Sequence, residues 1–198
     1  MDSLHDMVEQ TLGAYEMGAF PMAENGKLGF FTSDPRSVLL FEKIHIPKRL
    51  KRTYRQRPFE MTMDRDFQGV IQGCRKDRPE WISKELMEVY LELHRLGVSR
   101  SFEAWDDGEL VGGVMGTQVG AVFMAESMFR TRDHASNLCV VFMLDILEAC
   151  EFDGCDIQYS NDHTKIFNPV EMSGKEFSVF FEKARGRWPK LKVPCSMK

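Results

Sequence analysis

Apolar positions along the chain change period several times. Over residues 3–18, Leu4, Met7, Val8, Leu12 and Tyr15 recur at helical spacing behind Ser3, an N-capping residue type. Gly18 and Pro21 in "GAFPM" stop that helix, and Asn25-Gly26 turns the chain into a short strand, "LGFF" (28–31). "SVLLF" (37–41) and "FEMTMD" (59–64) read as strands on either side of a basic segment, and "TSDPRS" is a loop. Two helices are predicted next, over 65–75 and over 83–97, the second amphipathic and closed by Gly97. Asp107-Gly108 is a hairpin signal between "SFEAW" and "ELVGGVMG", and a turn near Val119-Gly120 leads into "AVFMAESMF". That makes a three-strand antiparallel meander. A core helix (136–152), a strand (155–160) and a last helix (174–186) complete an α+β chain with a mixed sheet.

Within the meander, "VFMAESMF" (122–129) sets a carboxylate among apolar or small neighbours. Period two puts Val122, Met124, Glu126 and Met128 on one face and Phe123, Ala125, Ser127 and Phe129 on the other. An unpaired carboxylate there loses hydration, so Glu126 needs a partner. Asp156 and Gln158, at i and i+2 of the later strand, are expected to face the same way.

Composition narrows the class. A chain of 198 residues with 43% hydrophobic and 28% charged residues suits one soluble domain, or one with a small annex. No apolar run approaches the roughly 20 residues of a membrane span, and the acidic N-terminus lacks a secretory signal pattern. The five cysteines (Cys74, Cys139, Cys150, Cys155, Cys195) form no CxxC pair, which predicts reduced thiols and a cytoplasmic protein with no disulfide framework or zinc site. A net charge of −4 argues against a protein that coats nucleic acid. The run "PKRLKRTYRQRP" (47–58) nevertheless holds six Lys or Arg and no acid, and the tail 183–198 is basic too. Such runs are either solvated faces or phosphate-contacting patches, since local charge governs phosphate affinity.

Several stretches together carry a family likeness: "YEMGAFPM" (15–22), "SDPR" (33–36), "HIPKRLKR" (45–52), "WI" (81–82), "SFEAWDDGELVGG" (101–113), "FMAESMF" (123–129), "AS" (135–136) and "DIQYSNDHT" (156–164). In this order and spacing the chain resembles the leucyl/phenylalanyl-tRNA–protein transferase family over nearly its whole length. The resemblance implies a small N-terminal α/β domain (1–35) on an acetyltransferase-like (GNAT) catalytic domain (36–198). It implies an aminoacyltransferase that moves Leu or Phe from charged tRNA to proteins beginning with Arg or Lys, marking them for degradation. It further implies no cofactor, no metal, no membrane and a monomer. Departures from the family pattern are "KIFNPVEMSGKEF" after "NDHT", Met22 where relatives often carry an aromatic, and Met115 where some carry Tyr. They leave Met beside Leu and Phe as a donor amino acid.

The resemblance also assigns roles. Asp156 would orient Gln158, whose side-chain carbonyl would accept a proton or hydrogen bond from the attacking amine. Trp105, Phe123, Phe142 and Ile146 would line the donor side-chain pocket, with Met115 near it and Asn161 also among the substrate-binding residues. Tyr15 and Met22 would close that pocket and stack on the terminal adenine. Glu126 would meet the acceptor's basic side chain; an internal pair with Arg130 or Arg132 is the plainer alternative. Lys48, Arg49, Lys51 and Arg52 would contact tRNA phosphates, and His163 is read as structural. Two other readings remain. An acetyl-coenzyme A N-acetyltransferase usually needs a Gly-rich pyrophosphate loop, and "RTRDHASN" before the core helix has no glycine. A non-catalytic reader of basic N-termini would bind without transfer.

Overall fold

The structure is a computed structural model that describes residues 3–24, 26–76 and 80–194. Helix α1 (Leu4–Glu16) starts at Ser3, whose side chain exchanges hydrogen bonds with Asp6 in a capping box. It is followed by an antiparallel hairpin of β1 (Phe20–Glu24) and β2 (Lys27–Phe31). Sequence reading found β2 and took "GAFPM" only as a helix stop; Pro21 is tolerated because β1 is an edge strand of a two-stranded sheet. Val8, Tyr15 and Phe20 from this opening join a core cluster shared with the next two long helices.

The main sheet has seven strands in the order β4-β5-β6-β7-β8-β3-β9. They are β3 (Arg36–Leu39), β4 (Glu60–Met63), β5 (Ser99–Asp106), β6 (Glu109–Val119), β7 (Val122–Arg130), β8 (Gly154–Asp156) and β9 (Val170–Met172). The β5–β6–β7 meander is as expected, with tight turns at Asp107-Gly108 and Gly120. On one face lie α3 (Phe67–Lys76), α4 (Lys84–Arg95), α1 and the last helix α6 (Gly174–Arg185). The other face is covered by α5 (Ala135–Ala149), apolar nearly all round and accordingly buried between β5, β6 and β7 and the chain that follows. The basic segment, unassigned from sequence, forms α2 (Lys48–Arg55), which sits on α5 through Leu50 and Tyr54. β9 was also missed: three residues give too short a pattern for period two to show.

Two irregularities create the site. Gly116 pairs with Ala125 but Met115 pairs with Ser127, so Glu126 is the extra residue of a β-bulge. A Cβ on Gly116 would lie 2.2 Å from the Met124 carbonyl oxygen, so only glycine allows the strands to close there. The bulge resets the alternation: Val122 and Met124 face the α3/α4 side, Phe129 does so after it, and Met128 faces α5 instead. The expected pairing of Met128 with Glu126 on one face is therefore corrected. β7 and β8, the one parallel pair among the described residues, stay together only from Val122 to Met124. The strand predicted over 155–160 stops at Asp156, because Gln158 takes a left-handed backbone (φ 58°) that no strand accommodates. Beyond these points the two strands part.

Candidate active site

The space between the parting strands is a cavity of about 380 Å³ that reaches both faces of the sheet. From the α5 side Val140, Met143 and Met128 form apolar wall; from the other side Cys74, Leu86, Tyr90 and Phe129 do. Phe20, Pro21 and Met22 of β1 close one end, and Trp81 and Tyr159, both partly exposed with ring centroids 6.3 Å apart, stand at the mouth. The volume suits one amino-acid side chain and the polar atoms around it.

Glu126 lines this cavity, half-buried. Its Oε1 accepts a 2.6 Å hydrogen bond from the Tyr15 hydroxyl, which lies 3.5 Å from the Tyr90 hydroxyl. Burial pushes the carboxyl up to about 7; the phenol hydrogen bonds and Arg36 oppose that rise, and the Asp156 charge adds to it. Both phenols are driven well above their usual range, chiefly by burial and then by the Glu126 charge. The alternative of an internal pair with an Arg is not what is found. Arg132 pairs with Asp106 and Glu109, and the recorded ion pairs among the described residues include none to Glu126. A carboxyl raised in the fold binds a proton between pH 4.5 and about 7 that the unfolded chain does not. Its contribution to stability is complete below the lower value and is lost as pH rises through the upper one. Glu126→Gln is expected to flatten this part of the Tm-against-pH curve, read by calorimetry across that window.

Asp156 is fully buried and takes a bidentate pair from Arg36, with Nε–Oδ1 2.9 Å and Nη2–Oδ2 2.6 Å. Its Oδ1 also accepts the backbone N–H of Gln158 at 2.9 Å. The expectation that Asp156 and Gln158 share a strand face is thus corrected: the carboxylate grips the main chain of Gln158, and the left-handed turn aims its side chain separately. Gln158 lines the cavity at 6% exposure, and its Nε2 is buried with no hydrogen-bond partner among the described residues. A buried polar atom of that kind calls for a partner, and a polar group entering the cavity can supply one. Asn161 also lines the cavity, its Oδ1 accepting from the backbone of His163 (2.9 Å) and Thr164 (3.2 Å). His163 lines it too.

Other expected wall residues lie elsewhere. Met115, Phe123, Phe142 and Ile146 are core: Phe102 takes Phe123 and Phe142 edge-on at 5.6 and 6.3 Å. Trp105 is near the far end of the meander, its Nε1 donating to Thr62 and its ring under the Arg65 guanidinium at 4.2 Å. Tyr15 is 1% exposed and holds Glu126 from below, which leaves no ring face for an adenine. Met22, Glu126, Gln158 and Asn161 all line this one cavity. Phe20, Trp81, Tyr90, Met128 and Tyr159 were missed. A buried Tyr needs a partner for its hydroxyl, and Tyr90 on the apolar face of a predicted helix was the readable clue.

Lys48, Arg49, Lys51 and Arg52 all point to solvent on α2, and none forms an ion pair among the described residues. Cys74, Cys139, Cys150 and Cys155 form no disulfide among the described residues; Cys195 and the end of the basic tail lie outside them. Among the described residues no three His, Cys, Asp or Glu side chains are grouped to hold a metal ion, and no helix is long and apolar enough to cross a membrane.

Residues 38–182 match the model of the family described as leucyl/phenylalanyl-tRNA protein transferase. The chain is 38% identical over 182 residues to the leucyl/phenylalanyl-tRNA–protein transferase of Akkermansia muciniphila, covering 89% of this chain and 94% of that one. It is 37% identical over 193 residues to the protein of the same name from Gloeobacter violaceus, covering 96% of each. With that of Rubrobacter xylanophilus the identity is 37% over 171 residues, 85% of this chain and 90% of the relative. A mixed sheet opened over a lined cavity, with this kinship, makes the chain an aminoacyltransferase that draws on charged tRNA. It belongs to the leucyl/phenylalanyl-tRNA–protein transferase family.

Proposed function

We propose that the enzyme transfers Leu or Phe, with Met as a further candidate donor, to the α-amine of proteins beginning with Arg or Lys. The observation that carries this reading is Glu126: a carboxylate at the cavity, held by phenols and with no ion pair among the described residues. An incoming guanidinium or ammonium supplies the missing charge. The apolar wall of Met128, Val140 and Met143 takes the donor side chain. The donor ester's ribose and terminal base lie toward Trp81 and Tyr159, whose exposed rings offer stacking faces.

In the reaction the acceptor nitrogen bonds to the aminoacyl carbon and the ester C–O bond breaks, the ribose oxygen taking up a proton. The ester is already activated, so positioning and proton removal account for the catalysis. Gln158 serves through one amide: its carbonyl accepts from the attacking amine, and its Nε2, without a hydrogen-bond partner among the described residues, donates to the ester carbonyl as negative charge develops. The parting of β7 and β8 around the reacting groups also supports an acetyltransferase-like (GNAT) ancestry, with residues 1–35 as an added domain. We further read the protein as cytoplasmic and monomeric, its products marked for proteolysis. Transfer of labelled Leu or Phe from charged tRNA to an Arg-led peptide, beside a neutral one and beside an acetyl-coenzyme A control, tests the whole reading. Binding of the peptide without transfer would indicate a reader of basic N-termini, and label arriving only from acetyl-coenzyme A would indicate an N-acetyltransferase.

α2 supplies the tRNA contact in this reading, since it presents Lys48, Arg49, Lys51 and Arg52 to solvent while its Leu50 rests on the helix that lines the cavity. Such contacts to phosphate lower affinity with salt at a log–log slope near the number of contacts. Neutralising two of the four is expected to raise KM for charged tRNA and to reduce that slope, while turnover of a minimal aminoacyl-adenosine stays nearly unchanged. Equal losses on both donors would remove α2 from the interface.

A further inference from the structure

We infer that Arg36 is a positioning residue for aminoacyl transfer, acting through Asp156 to hold Gln158 in the turn that aims its side-chain amide into the cavity. The inference rests on the reading of Gln158 given above. Arg36 opens β3 at 1% exposure, a rare place for a guanidinium. Its planar group lies between the rings of Phe20 and Phe177, 4.9 and 4.6 Å from their centroids, so it cannot swing. Phe20 itself lines the cavity. Within this clamp the fork of Nε and Nη2 fixes both oxygens of Asp156. Asp156 Oδ1 then has one direction left, and the Gln158 N–H takes it at 2.9 Å.

The main-chain carbonyl of Gln158, in the next peptide unit, is tied to residues beside Arg36. Gln158 O accepts the Ser37 N–H at 3.0 Å and the Ser33 hydroxyl at 2.8 Å. Gln158 is thus gripped through its backbone on both sides, in a left-handed conformation that a residue with a Cβ does not adopt unaided. Burying an ion pair is not in general stabilising, since well-packed apolar side chains often do as well. What the pair supplies that apolar side chains do not is direction: a planar donor, a planar acceptor and one remaining lone pair. Lysine has the charge but neither the fork nor the flat faces.

Steady-state kinetics with charged tRNA and an Arg-led peptide, beside melting curves, test this in five variants: Gln158→Ala, Arg36→Lys, Arg36→Met, Arg36→Met with Asp156→Asn, and Arg36→Lys with Gln158→Ala. Arg36→Lys should lower kcat about 10-fold or more with both KM values within about twofold of wild type, as expected of a misaimed catalytic group. Arg36→Met strands a buried carboxylate and should lose Tm as well. Neutralising that carboxylate with Asp156→Asn should restore much of the Tm while kcat stays low. In the Gln158→Ala background, Arg36→Lys should change kcat no further. Recovery of kcat together with Tm, full kcat in Arg36→Lys, or an additive loss in the Gln158→Ala background would overturn the inference. Should Gln158→Ala alone keep wild-type kcat, the role of Gln158 itself falls, and the inference with it. Should that variant lose kcat while Arg36→Lys does not, only the role of Arg36 falls.

Discussion

Gln158→Ala is expected to lower kcat by a factor on the order of 10² or more while the melting temperature stays near wild type. The amide Nε2 has no hydrogen-bond partner among the described residues, and the backbone grip on residue 158 does not involve the side chain. Removing the amide therefore removes contacts that exist only with substrate bound, so kcat and kcat/KM should fall together. Gln158→Glu separates the two halves of the amide. It keeps an acceptor for the amine proton and loses the N–H donor, so retained activity would assign the work to the acceptor and a loss like that of Ala would assign it to the donor. Asp156→Ala should be at least as severe in kcat, but it also leaves Arg36 buried and unpaired, so its Tm should drop. Full activity in Gln158→Ala would remove residue 158 from the chemistry.

Glu126→Gln is expected to reduce kcat/KM for peptides beginning with Arg or Lys by about 30- to 1,000-fold. That range corresponds to the roughly 2–4 kcal/mol of a guanidinium paired with a partly dry carboxylate. The loss should be much smaller for a neutral N-terminus of similar length, and donor binding should hardly change because its wall is apolar. A free-enzyme carboxyl near 7 adds a pH signature. For basic acceptors kcat/KM should fall as pH drops below about 7, and the limb should vanish in Glu126→Gln. Tyr15→Phe removes a hydrogen bond that favours the charged form, so its limb should move to higher pH. If Glu126→Gln treats all acceptors alike and loses mainly stability, Glu126 is a structural group and the acceptor is recognised elsewhere.

Much of the fold was legible because period and punctuation agree over long segments. The meander followed from Asp107-Gly108 and alternating apolar residues, and α5 from an apolar run too long for a strand. The departures are short or irregular. β1 was hidden by Pro21, β9 by its three-residue length, and α2 by a charge run whose only apolar anchors are Leu50 and Tyr54. Of the residues lining the cavity, Glu126, Gln158, Met22 and Asn161 stood out in the sequence, on the strength of motif likeness more than of spacing. The supposed wall of Trp105, Met115, Phe123, Phe142 and Ile146 was not, since core and pocket aromatics look alike until the strands are seen to part.

Sequence by itself determined the element order, the family likeness, and the presence of an acid and an amide that the core does not explain. Those features are local: each depends on residues a few positions apart. Only the tertiary structure decided what surrounds them. The bulge at Glu126 comes from a register shift against β6, made possible by Gly116, and it turned the carboxylate toward two tyrosines 111 and 36 positions away in the chain. The left-handed turn at Gln158 depends on an Asp156 held by Arg36, 120 positions earlier, between rings from β1 and α6. Periodicity reports which face a residue takes on an ideal element. A bulge and a clamped turn are departures from the ideal, stabilised by partners distant in sequence, and the proposed site residues Glu126 and Gln158 stand at both.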